Sequence, residues 1–159
     1  MLFRSTSFVV GCALNLGAPD LARECRLLQR KVAAGADFIL TQPVYSADVV
    51  RRFRQEYAAQ VGELLVPLLV GVLPLFSDRH TAFLSNEVPG IHIPDSVRDH
   101  IRRAGAEAPE EGVRLAKGLV ESLLGTAQGV YLMPAFHRFD LAAEVIDHVK
   151  SIAPASKAS

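Results

Sequence analysis

The sequence has little of what usually announces a ready-made chemistry. It holds two cysteines, Cys12 and Cys25, on different expected elements and without paired spacing. That excludes a disulfide scaffold and a cysteine-based zinc site, and the pair reads as reduced thiols in a cytosolic core. Neither sign of charge is in excess: Lys+Arg and Asp+Glu both number 17, for a net charge of zero. No basic stripe is available for nucleic acid, and no charged run forms a tail. No apolar run is long enough to span a membrane. The Val9-Val10-Gly11-Cys12 order has the wording of a lipoprotein cleavage box. The apolar run before Cys12 is only Phe8–Val10, against roughly 7–15 residues in a signal peptide. A cytoplasmic location is therefore expected.

Familiar site motifs are missing too. No strand is followed by G-x-G-x-x-G, and there is no G-x-x-x-x-G-K-[ST], so the two commonest nucleotide-binding loops are absent. There is no nucleophile elbow and no H-E-x-x-H. The five histidines are scattered, and no metal site is expected.

What is present is a regular alternation. The chain has 159 residues, 50% hydrophobic and 21% charged, enough for one core. Short apolar runs at 8–14, 37–42, 66–74 and 128–134 read as strands buried on both faces. Amphipathic stretches at 18–35, 46–62, 77–87, 94–104, 109–124 and 139–151 read as helices, entered at Asp20, Ser46, Ser77, Pro94-Asp95 and Pro109-Glu110. The fold class is thus α/β, with four parallel βα units in one domain over 1–159 and a frayed tail at 152–159.

Parallel α/β folds bind ligands at the C-terminal ends of their strands. Here those ends carry Asn15, Gln42-Pro43-Val44-Tyr45, Pro74-Leu75-Phe76-Ser77 and Pro134-Ala135-Phe136-His137-Arg138. That rim suits a flat, polar-edged heterocycle bearing carboxylates. The lone amide Gln42, at the tip of an otherwise apolar strand, is its least expected member.

At "QRKVAAGADFILTQPVY" (29–45) the chain resembles the methylenetetrahydrofolate reductase family. "VPLLVGVLPL" (66–75), "GIHIPD" (90–95) and "EEGVRLAKGLVESLLGTAQGVYLMPAF" (110–136) continue the likeness, which runs from residue 8 to about 149. The wording is most similar to bacterial reductase modules fused to a homocysteine methyltransferase. The resemblance implies the last four βα units, the C-terminal half, of a TIM-type (β/α)8 barrel. It implies FAD as cofactor, NAD(P)H as electron donor, and reduction of 5,10-methylenetetrahydrofolate to 5-methyltetrahydrofolate. By the same resemblance Gln42 meets the folate pterin, with His80 and Arg138 as further substrate contacts. Asn15, Glu24, Leu27 and Lys31 fall on the flavin side. Leu84 stands where some members have a phenylalanine.

Each residue also has a plainer reading. Gln42 can cap a strand end. Glu24 and Lys31 can form a solvated helix face, and His80 and Arg138 can be ordinary rim residues. Tyr131, Phe136 and Phe139 read as core, and Gly71 as a close-packing glycine. The family's catalytic acid belongs to the first barrel strand, so no catalytic residue is assigned and the isolated chain is expected to be inactive. A truncated reductase is the favoured expectation. The alternatives are a half-barrel that pairs with its own copy and a non-catalytic binding or assembly module.

Overall fold

The computed structural model describes residues 8–152. Its element order is β1 (Gly11–Leu14), α1 (Leu21–Ala33), β2 (Phe38–Pro43), α2 (Ala47–Gln60), β3 (Leu68–Val72), α3 (Asp78–Glu87), α4 (Asp95–Ala104), a 3-10 turn (Gly105–Glu107), α5 (Ala108–Leu123), β4 (Gly129–Leu132) and α6 (Phe139–Ile152). Helix starts follow from the sequence. The Asp20 carboxylate accepts the Arg23 N–H at 2.8 Å, and the Ser77 hydroxyl accepts the His80 N–H at 3.1 Å. Each satisfies a donor that the helix itself leaves free.

The four strands are all parallel and lie in sequential order, β1-β2-β3-β4. Parallel crossovers are right-handed, so a sequential order stacks every connecting helix on the same side of the sheet. On that side Leu14, Ile39, Leu68 and Val70 meet Cys25 and Leu28 of α1 and Val50, Phe53 and Tyr57 of α2. Val72 continues this core against Val113, Ala116 and Val120 of α5 and Val145 of α6. Beyond the strand ends, Leu73 and Leu75 pack with Leu84, Ile93 and Ile101. The other face of the sheet carries the partner rows Ala13, Leu40, Leu69 and Gly129, then Gly71 and Tyr131. Leu40, Leu69 and Tyr131 are only half-buried there. Sequential parallel strands with helices on one face and an apolar, open inner face are half of a TIM-type barrel.

Two expectations need correction. The first strand is four residues long, and Phe8, Val9 and Val10 are exposed. It forms an edge, and among the described residues no strand lies beyond it to bury a second face. β4, the other edge, is half-buried throughout for the same reason. Phe136 and Phe139 are exposed rather than core, because they follow β4 off the edge of the sheet. In the expected frayed tail, Ile152 closes α6, and 153–159 lie outside the described residues. Among the described residues no helix is long and apolar enough to cross a membrane.

Candidate ligand-binding site at the strand tips

Gln42 sits on a β-bulge. Leu40 pairs with Leu69 of β3, yet Pro43 pairs with Gly71, so β2 takes one more step than β3 between them. A bulge breaks the ladder and re-aims the side chains beside it. Pro43 has no N–H to offer, and the Thr41 side chain repairs the gap. Its Oγ1 accepts the Gly71 N–H at 3.1 Å and donates to the Gln42 carbonyl at 2.7 Å. The Val44 N–H donates to the Gly71 carbonyl at 3.1 Å.

A second brace comes from β4. The Tyr131 hydroxyl reaches across β3 and donates to the Thr41 carbonyl. It passes over Gly71, where a Cβ would lie 3.0 Å from that hydroxyl and 3.1 Å from the Pro43 nitrogen. Gly71 is thus a close-packing glycine, and Tyr131 is a cross-strand brace. Tyr131→Phe keeps the ring and loses the bond, so about 0.5–1.5 kcal/mol of stability is expected to go. The urea midpoint measures it, and an unchanged midpoint would mean that the brace contributes nothing.

Held this way, the Gln42 carboxamide oxygen is buried and has no hydrogen-bond partner among the described residues. An unpaired buried acceptor costs about 1–3 kcal/mol, and native proteins keep few of them.

The tip of β1 is built by α1. Lys31 Nζ donates to the Ala13 carbonyl at 2.6 Å. Glu24 Oε1 accepts the Asn15 N–H at 3.0 Å, and Asn15 Oδ1 accepts the Gly17 N–H at 3.0 Å. The two charged side chains of this helix face therefore clamp the end of β1; they are not merely solvated. Asn15, Glu24, Lys31 and Gln42 line one cavity of about 390 Å³, together with Tyr131 and Met133. Leu27 is half-buried and does not line it.

His80 falls at a second, aromatic pocket of about 460 Å³, walled by Phe76, Phe83 and Phe136, which Arg138 does not line. The His80 ring is 3% exposed. It stacks on Phe76 with centroids 4.1 Å apart and meets the edge of Phe136 at 5.8 Å. Neither ring nitrogen has a hydrogen-bond partner among the described residues. Burial lowers its pKa to about 4, so the imidazole is neutral at neutral pH. Arg138 is already paired: Nε and Nη2 donate to Asp140 at 2.9 and 2.7 Å. Its guanidinium lies 5.8 Å from the Phe76 ring centre. Phe136 and His137 both adopt left-handed backbone, φ +48° and +64°. That is costly for residues with side chains, and such strain gathers at functional positions.

Sequence reasoning placed Phe76 on the rim but missed the aromatic wall Phe83 and the Tyr131–Thr41 brace. The spacing of His80 and Phe83, three apart on α3, was the available signal for one shared face. Among the described residues no cluster of His, Cys, Asp and Glu could hold a metal ion.

Together, fold and site define a (β/α)-barrel half with polar groups gathered at the C-terminal ends of its strands, the face where such barrels bind ligands. The sequence profile of methylenetetrahydrofolate reductase matches residues 9–150, and the chain belongs to that family. It is 29% identical over 120 residues to methylenetetrahydrofolate reductase (NADH) 1 of Zea mays, a match covering 73% of this chain and 19% of the maize protein. A solved structure of an uncharacterized Clostridium thermocellum protein, which binds two copies of 5-methyl-5,6,7,8-tetrahydrofolic acid, shares the fold with TM-score 0.68 and 17% identity. That likeness covers 91% of this chain and 54% of the other. The chain thus spans only part of the length of both relatives.

Proposed function

We propose that this chain is the C-terminal half of a flavin-dependent reductase that converts 5,10-methylenetetrahydrofolate to 5-methyltetrahydrofolate. The observation that carries this reading is Gln42, a buried amide oxygen without a partner, in a chain of this family. A carboxamide offers one acceptor and two donors, the complement of a pterin edge. A ligand that pairs with it removes the penalty of the bare acceptor, and one that cannot is disfavoured. The folate bound by the Clostridium thermocellum protein is of this class.

The residues lining the first cavity fit a flavin. Lys31 spends one bond on Ala13 and keeps two N–H groups for a pyrophosphate. The Glu24 carboxylate has a second oxygen for hydroxyls, and the Asn15 carboxamide adds a polar edge. FAD, when bound, supplies the relay of hydride from NAD(P)H to the folate carbon. The chain's own residues orient the folate through Gln42 and keep the neutral His80 against its aromatic walls. The acid that protonates the folate nitrogen is assigned to the other four βα units, so the isolated chain binds without turning over.

A visible spectrum of the desalted chain with FAD, followed by calorimetric titration with 5-methyltetrahydrofolate, tests the proposal. A retained, perturbed flavin band that Lys31→Ala weakens, and a folate heat that Gln42→Ala removes, are expected. Neither signal in the wild-type chain would sink it. A second reading, a half-barrel paired with its own copy, is favoured by the open row Leu40, Leu69 and Tyr131. Light scattering at dimer mass supports that reading, and monomer mass at all concentrations ends it.

A further inference from the structure

We infer that Gly90 is a positioning residue for Gln42. Gly90 lies in the turn between α3 and α4, where the Ile91 N–H approaches the Val88 carbonyl at 3.4 Å. Its φ is +83°. An ideal Cβ built on it would fall 2.3 Å from Gln42 Oε1, 2.6 Å from Nε2 and 2.8 Å from Cδ. The amide group of Gln42 therefore occupies the space that any side chain at 90 would need. On its other side the turn touches the β1 tip: the Gly90 carbonyl is 3.5 Å from where a Cβ on Gly17 would stand. The turn is a wedge between the Asn15–Gly17 loop and the Gln42 amide.

The Gln42 side chain makes no hydrogen bond to the described residues, so packing alone sets its direction. The bulge braced by Thr41 and Tyr131 fixes its backbone, and the bare Cα of Gly90 fixes its amide plane. This deepens the proposed function and rests on it for the identity of the ligand. An amide displaced by about 1 Å loses its aim, and misplacement on that scale can cost about 100-fold in a positioned site.

Gly90 is also required by its left-handed φ, whatever its neighbour. A double-mutant cycle separates the two demands. Gly90→Ala, Gln42→Ala and the double variant are compared with the wild type by urea midpoint, by 5-methyltetrahydrofolate titration, and, wherever Gln42 is kept, by the resonances of its side-chain NH2. Contact predicts that Gly90→Ala moves the Gln42 resonances and weakens folate binding at least tenfold. It also predicts that Gly90→Ala lowers the midpoint less when Gln42 is already Ala, and that the double variant binds no worse than Gln42→Ala. If Gly90→Ala alone fails to fold, folding of the double variant is the same coupling in stronger form, and failure of both overturns the inference. Additive midpoints with unmoved resonances also overturn it. Absent folate binding in the wild type would instead sink the proposed function, leaving the resonances and midpoints to decide Gly90.

Discussion

Gly112→Ala is expected to cost about 3–5 kcal/mol, near the upper end of what one substitution does. Gly to Ala inside a helix normally gains up to about 1 kcal/mol. Here the sign reverses because α5 rides directly on the backbone after β3. A Cβ at Gly112 would stand 1.6 Å from the Leu75 carbonyl oxygen, 2.7 Å from its carbon and 3.1 Å from its nitrogen. Those are main-chain atoms, and no rotamer change relieves them. Leu75 is itself buried beside Leu73, Ile101 and Ala108, so the strand end cannot retreat. The helix must lift instead, and that separates Val113 and Ala116 from Val72. Gly118, one and a half turns on, has nothing within 4 Å of its would-be Cβ. Gly118→Ala is the matched control and is expected to be neutral or mildly stabilising. Urea unfolding of both variants is the measurement. Equal midpoints would mean that α5 does not sit against Leu75.

The second large effect is acid destabilisation through His80. The unfolded chain binds a proton at an ordinary histidine near pH 6.5, whereas the folded chain binds it only near pH 4. Between those values protons favour the unfolded state. The contribution of His80 is therefore complete above about pH 6.5 and is lost as pH falls toward 4. A displacement of that size corresponds to about 3 kcal/mol. The physical reason is plain: both ring nitrogens are buried without partners and the walls are Phe76 and Phe136, so a charged imidazole finds no compensation. His80→Gln removes the titration and keeps a polar side chain. Stability measured from pH 7.5 to 4 should fall more steeply in the wild type than in the variant. Parallel curves would show that His80 is free to charge in the folded chain.

Much of this architecture was legible because local signals agreed with the fold. Asp20, Ser46 and Ser77 each stood before an apolar helical period, and each is the cap of its helix. The β-branched and apolar runs gave the four strands in order. What periodicity could not give was which strands are edges. "FVVGCAL" looked doubly buried, yet a buried run and an exposed apolar run are the same string until a neighbour is present. The bulge at Thr41–Pro43 was equally hidden, since an extra residue shows only in the register of two strands. Proline next to the lone glutamine was the trace it left. The partners of Glu24 and Lys31, Asn15 just past β1 and Ala13 on it, lie 9 and 18 residues back in the chain, and helix spacing alone points to no such partner. Phe136 illustrates the reverse: its apolar character predicted burial, but it follows β4 off the edge of the sheet and is 67% exposed.

Among the described residues β1 and β4 are the two unpaired edges of the sheet. Both edges belong to the same all-parallel sheet, so pairing the outer side of β4 with a β1 that runs in the same direction continues the pattern already present. Joining the β4 of one chain to the β1 of the next is head-to-tail, and head-to-tail contacts either close or continue without end. With four strands each, two chains reach the count of eight at which a (β/α) barrel closes. A closed ring of eight would leave no strand edge bare, whether the four further strands came from a second copy or from the rest of a longer polypeptide.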